Sequence, residues 1–244
     1  MNDIKILTDS LEKMNISLSD DQVSRFLRYY EMLVETNKVM NLTAITEFDE
    51  VMIKHFADSL SIVKLFDLSA EKDIKVLDIG TGAGFPGIPL KIAFPDIRIT
   101  LLDSLTKRIR FIDDVINELD LNSSGSIETT DMRSEDYVRT EDVRESFDLV
   151  VSRAVANLAV LSEYSLPYVR IGGSFISYKG DKASEELNEA KKAIDILGGE
   201  VKDVMTFTLP GTDISRTLIN IKKTRPTPDK YPRKAGLPNK KPLL

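Results

Sequence analysis

Residues Lys75 to Leu90 read KVLDIGTGAGFPGIPL, and no other stretch limits the fold of this chain as tightly. An apolar run leads into Asp78, glycines recur at 80, 82, 84 and 87, and an apolar run resumes. The pattern predicts a buried strand, a turn almost free of side chains, and the start of a helix. Such a turn lets a ligand lie against bare backbone at a helix N-terminus. Gly82-Ala83-Gly84-Phe85-Pro86-Gly87 also satisfies G-x-G-x-x-G, so dinucleotides and S-adenosylmethionine (SAM) both fit the string.

The surrounding pattern sets the fold class. The first seventy residues read as helical. Ser19 and Gln22 form a capping box, and Val23, Phe26, Leu27, Tyr30, Leu33 and Val34 then mark one apolar helix face running to about Asn37. Two further amphipathic stretches follow, near Glu47–His55 and Ser59–Phe66. From residue 74 strands and helices alternate. Strand-like runs fall at 74–79, 97–103, 126–130, 147–152, 173–178, 201–208 and 217–222, with helical patterns at 105–119, 157–169 and 183–197. This alternation predicts an α/β fold with a mostly parallel seven-stranded sheet and helices on both faces. The short link 209–216 predicts an antiparallel hairpin at one edge. The chain thus divides into a helical extension (1–70), an α/β domain (71–223) and a tail (224–244).

Ligands of such sheets bind beyond the carboxyl ends of the strands, where strand order reverses. The first strand puts Asp78 and Gly80 there, and the second puts Asp103 there, 21 residues after Gly82. A carboxylate at that second position offers two acceptor oxygens to the hydroxyls of a ribose, a device shared by both cofactor classes. Asp78 leans the reading towards SAM. A carboxylate beside the turn repels a pyrophosphate but suits a ligand with a sulfonium and an ammonium group. It also fits a plainer role, capping its own glycine loop through backbone N–H groups, and that role is compatible with either cofactor.

Composition excludes several chemistries. The chain has no cysteine, hence no disulfide, thiolate metal site or cysteine nucleophile, as expected of a cytoplasmic protein. Its single histidine, His55, rules out a multi-histidine metal site and reads as structural rather than catalytic. No apolar run approaches a membrane span, and no secretory signal opens the sequence. The net charge of −6 conceals an asymmetry. From Lys222 onward there are eight Lys/Arg against one acid, with five of the ten prolines. That composition predicts an extended segment rather than regular helix, acting either as a solubilising tail or as a polyanion contact.

Taken in order along the chain, several strings resemble one family. NLTAIT (41–46), KHFADSL (54–60), LDIGTGAGFPGIPL (77–90), LLDSLTKRIRFI (101–112), SRAVA (152–156), SYKG (177–180) and YPRKAGLPNKKPL (231–243) look like the RsmG (GidB) family. The match extends over about 200 residues. The family comprises bacterial 16S rRNA guanine-N7 methyltransferases acting at position 527 in the 530 loop. The resemblance implies a Rossmann-like class I SAM-dependent fold with an N-terminal helical extension, SAM as cofactor, and 16S rRNA or a small-subunit particle as partner. Oligomeric state is left open, with a monomer favoured.

The same resemblance carries roles to individual positions. Gly80 and Phe85 match cofactor contacts in the glycine turn, and Asp103 with Ser104-Leu105 matches the ribose corner. Ser134 and Glu135 match a pair usually written Ala-Glu beside the adenine, the serine being a departure. Arg153 matches an arginine near cofactor and target base. Plain structural readings exist for Phe85, Glu135 and Arg153 as core, helix cap and ion-pair partner.

The implied reaction suits what the chain lacks. Guanine N7 presents an in-plane lone pair, so no general base is needed, and alignment with local electrostatics carries the chemistry. The Asn/Asp-Pro-Pro-aromatic string typical of exocyclic-amine methylation is replaced by Ser152-Arg153-Ala154-Val155. An RNA surface requires local cations, and Lys107, Arg108, Arg110, Lys179, Lys182, Arg233 and Lys234 are the candidates. Two other functions stand beside the leading one: an NAD(P)-dependent oxidoreductase, and a non-catalytic ribosome-assembly RNA binder.

Overall fold

A computed structural model describes residues 3–69, 73–123, 126–140, 142–153 and 155–244. The expected boundary at 70/71 lies outside the described residues. Seven strands form one sheet: β1 Lys75–Ile79, β2 Arg98–Leu102, β3 Ile127–Thr130, β4 Phe147–Arg153, β5 Val169–Lys179, β6 Gly199–Thr208 and β7 Ser215–Lys223. Their order is β3-β2-β1-β4-β5-β7-β6. Strands β1 to β5 pair in parallel, and β7 runs antiparallel between β5 and β6. The hairpin therefore folds back, so its first strand becomes the sheet edge. The chain winds outward from β1 to β3 and returns to β4 on the other side of β1. That reversal places the ligand crevice at the carboxyl ends of β1, β2 and β4.

Helices cover the sheet: α1 Lys5–Glu12, α2 Asp20–Met40, α3 Phe48–Val51, α4 Asp58–Leu60, α5 Gly87–Ala93, α6 Thr106–Glu118, α7 Ser134–Tyr137, α8 Leu158–Ser165, α9 Ala183–Ile196 and α10 Leu237–Lys240. The capping box opens α2 as expected, with Gln22 N–H donating to Ser19 Oγ and Ser19 N–H donating to Gln22 Oε1. The amide of Gln22 then donates to the carbonyls of Ile92 and Ala93, satisfying the end of α5 (2.8 and 3.1 Å). One residue thus starts one helix and stops another.

Two details differ from the sequence reading. Helix α1 carries no side-chain N-cap, and only Leu7 and Leu11 give it a buried apolar stripe, too short a pattern to register. The stretches near Glu47–His55 and Ser59–Phe66 are not separate helices. They join through a π-helical segment, Met52–Ala57, and run on into a 3-10 turn, Ser61–Lys64. The wider π-helical winding carries Lys54 and His55, and such segments recur at functional sites.

The helical extension shares its core with the sheet. A single apolar cluster includes Leu7, Tyr29, Phe56, Phe85, Ile99 and Leu218. Tyr29 lies fully buried and donates its hydroxyl to the Ala83 carbonyl inside the glycine turn (2.5 Å).

Candidate cofactor site and basic cavity

The glycine turn follows directly from β1. Gly80 has φ of +70°, and a Cβ there would sit 2.4 Å from Val155 Cγ2, so both conformation and space demand glycine. At Gly87 an added Cβ would meet Leu101 Cδ2 at 2.1 Å, which keeps α5 close against β2.

Asp78 takes the plainer of its two roles. It is fully buried, and its Oδ2 accepts from Gly87 N–H at the first turn of α5 (2.9 Å). Burial pushes its carboxyl up to about 7, against the opposing pull of the Gly87 N–H and Arg153. It braces the turn from behind and lines neither of the cavities described below. That role still bears on cofactor class. Gly82 N–H donates to Asp103 Oδ2 (3.0 Å), so two N–H groups of the turn already face carboxylates. A pyrophosphate would have to displace both.

A cavity of about 310 Å³ opens beyond β1 and β2, lined by Gly80, Asp103, Ser104, Ser134, Glu135 and Val155 among others. Asp103 is held by the N–H groups of Gly82 and Leu105 and by Arg108, at 3.0, 2.9 and 3.2 Å. Ser134 donates to the Tyr164 carbonyl (2.8 Å), and the Ser134 carbonyl accepts from Tyr168 (2.6 Å), so the start of α7 is fixed by side chain and backbone alike. Glu135 Oε1 accepts from Gly236 N–H at 2.9 Å. Bare backbone, the Asp103 carboxylate and apolar walls at Ile79, Leu102 and Met132 fit a nucleoside ligand, with Arg108 and Arg133 balancing Asp103 and Glu135 in charge.

Phe85 and Arg153 lie on the other side of Val155. The Phe85 ring is almost buried, stacks on His55 with centroids 4.4 Å apart, and has Arg153 above it at 5.1 Å. Arg153 donates to Asp58 Oδ2 (3.0 Å) and to the carbonyls of Lys54 and His55. Arg216 donates to the other oxygen of Asp58 (2.9 Å). His55 Nε2 meets Thr43 Oγ1 at 2.9 Å, while Nδ1 faces Arg153 Nη2 at 3.4 Å. Burial, then the adjacent Arg153 charge, lowers the imidazole to about 3, so it stays neutral.

These groups border a second cavity of about 580 Å³ that includes Lys54, Arg153, Lys179, Glu186 and Arg216. Val155 lines both cavities. Sequence reasoning passed over Asp58 and Arg216, which have no local pattern. Asp58 sat inside the KHFADSL string, and that was the signal available.

The proposed RNA cations separate by environment. Lys107 and Lys234 are exposed and without an ion pair among the described residues. Arg108 is engaged with Asp103, and Lys179 pairs with Glu186 at 2.7 Å. Arg233 points inward. Its guanidinium and backbone N–H bind the buried Glu163, with Nη2 to Oε2 at 2.6 Å. It is an internal brace rather than a charge offered to a polyanion.

The tail is correspondingly neither free nor purely extended. Arg139 donates to the Pro232 carbonyl and Arg144 to those of Thr227 and Tyr231. The segment then ends in α10. Arginines distant in sequence satisfy its backbone, which composition could not reveal.

Comparison with known proteins now decides the lineage. Residues 22–218 match the family model GidB, rRNA small subunit methyltransferase G. The chain belongs to that family. It is 50% identical over its whole length to the ribosomal RNA small subunit methyltransferase G of Lachnoclostridium phytofermentans, covering 99% of that protein. It is 47% identical to the Acetivibrio thermocellus protein of the same name over 98% of this chain and 96% of that one. Among solved structures, a Galdieria sulphuraria protein assigned as a sarcosine dimethylglycine methyltransferase superposes with a TM-score of 0.52 at 12% identity, covering 73% of this chain and 88% of that one. The TYW2 protein of P. horikoshii, solved with MeSAdo, gives 0.50 at 12% identity over 63% of this chain and 58% of that one. These two likenesses bear on the fold, the class I methyltransferase sheet with its antiparallel edge hairpin.

Proposed function

We propose that this GidB-family chain transfers a methyl group from SAM to N7 of a guanine in 16S rRNA, at position 527 of the 530 loop. The observation that carries the reading is the meeting of two unlike cavities at Val155. One sets Asp103 and Glu135 beside Arg108 and Arg133 around bare backbone, and the other sets Lys54, Arg153, Lys179 and Arg216 against only Asp58 and Glu186.

Gly80, Asp103, Ser134 and Glu135 would hold the cofactor, with Phe85 and Arg153 at the reacting end. Bound there, SAM supplies an electrophilic methyl on a cationic sulfonium. The chain's own part is to orient and to exclude water. Asp58 fixes Arg153 over Phe85, and the excess of cations over carboxylates in the second cavity favours a purine edge and its phosphates. His55 is unsuited to general-base duty, because both ring nitrogens face protein partners. That suits a nucleophile which needs no deprotonation. Lys107 and Lys234, both exposed, are proposed to meet RNA phosphates. The target base must leave its stack to enter. A cytoplasmic monomer acting on the small subunit or its assembly intermediates accords with this chemistry, and no helix among the described residues is long and apolar enough to cross a membrane.

Mass-spectrometric mapping of 7-methylguanine in 16S rRNA, with and without the protein, tests the proposal. A guanine methylated only when the protein is present supports it, and identical methylation in both samples refutes it.

A further inference from the structure

The tail ends at the cofactor cavity. Arg233 is clamped by Glu163, three residues later Gly236 N–H is held by Glu135, and three residues beyond that Asn239 lines the same cavity as Gly80, Asp103 and Ser134. Two buried carboxylates of the α/β domain therefore set where Asn239 stands. The Asn239 side chain is exposed and has no hydrogen-bond partner within the protein among the described residues.

Several neighbouring polar groups are already committed. The Ser134 hydroxyl is donated to Tyr164, Glu135 receives Gly236, and Asp103 receives two N–H groups and a guanidinium. Arg133 can only donate and Glu135 can only accept. A primary amide carries a donor and an acceptor in one plane, the complement of the N6 amino group and adjacent ring nitrogen of adenine.

We propose that Asn239 reads the adenine of the cofactor, making the C-terminal segment a wall of the cofactor site and Asn239 a specificity-determining residue. The inference rests on the reading of this cavity as the SAM site with adenine at its Ser134–Glu135 end. Leu102 and Met132 then supply shape, and the tail supplies base identity. The basic segment that composition marked as a polyanion contact or a solubiliser gains a third role.

Isothermal titration calorimetry tests this without RNA or turnover. The probes are S-adenosylhomocysteine and S-inosylhomocysteine, which bears a 6-oxo group in place of the amine. The wild-type chain should prefer the adenosyl probe by roughly tenfold or more, the worth of about one hydrogen bond lost to an unpaired group. Asn239→Ala should bind the adenosyl probe about tenfold more weakly and lose most of that preference, with its ligand-free melting temperature unchanged. Unaltered affinity in the variant would overturn the inference, as would an equal loss for both probes, which marks a merely structural role. A wild-type chain that binds neither probe overturns the cofactor-site reading itself, a different result from binding that ignores Asn239.

Discussion

Arg153, at the end of β4, reaches across 95 positions of sequence to Asp58 in the helical extension and holds it at 3.0 Å. Arg216 of β7 binds the second oxygen of the same carboxylate. One nearly buried anion thus joins three parts of the chain: the π-helical region, the central sheet and the edge hairpin.

Removing that anion strands two guanidiniums. Asp58→Asn should destabilise the fold by about 3–5 kcal/mol, the usual cost of breaking a buried pair from one side. Urea denaturation followed by circular dichroism measures it, and a loss below about 1 kcal/mol would show that water already screens the cluster.

Gly80→Ala brings a methyl group against Val155 and forces a left-handed backbone on alanine. The substitution should cost about 1–3 kcal/mol of stability and weaken SAM binding at least tenfold. Val155→Ala in the same chain should recover part of the affinity, because it removes the steric conflict but leaves the backbone strain. Calorimetry on both variants separates the two contributions; no recovery would mean that strain alone sets the loss.

His55 imposes a pH signature. Its folded value near 3 lies below the ordinary imidazole value, so the unfolded chain takes up the proton first. The stability linked to His55 is complete above about pH 6.5 and is lost as pH falls towards 3. At pH 5.5 the loss should reach roughly 1.4 kcal/mol. Asp78 has the opposite sign, its raised carboxyl favouring the fold at low pH and losing that contribution as pH rises through 7. The His55→Asn minus wild-type difference isolates the first effect, and Asp78→Asn isolates the second. A wild-type profile unchanged by either substitution would contradict both assignments.

Arg233→Met should unseat the tail. It leaves the buried Glu163 with only backbone help, at a cost of about 3 kcal/mol. Adding Glu163→Gln should restore most of it. Limited proteolysis offers a second measure: cleavage after Lys230 or Lys234 should accelerate in the single variant and slow again in the double one.

Where side-chain periodicity reports on neighbours a few residues away, the sequence was readable. The strand–helix alternation, the α2 capping box and the antiparallel edge all follow from local pattern, and the glycine turn follows from backbone requirements. What stayed hidden depends on partners far apart. No spacing rule connects Arg144 to Tyr231 or Asp58 to Arg216, and tertiary hydrogen bonds rather than propensity hold the tail in place. Asp78 kept two readings for a related reason. A carboxylate beside a glycine loop has the same sequence whether it faces a ligand or its own backbone, and only its burial distinguishes them. The resemblance nonetheless picked out strings that the fold gathers around the two cavities, including those carrying Thr43, His55, Asp58, Phe85 and Arg153.

Val155 has a kinetic consequence if the second cavity takes the base as proposed. Two cavities that share one lining side chain would give two doorways and one threshold. Each reactant would then have its own route in and out, the two meeting only beside that valine. Spent cofactor could then be exchanged while the ribosomal particle stays docked, and binding would follow no compulsory order.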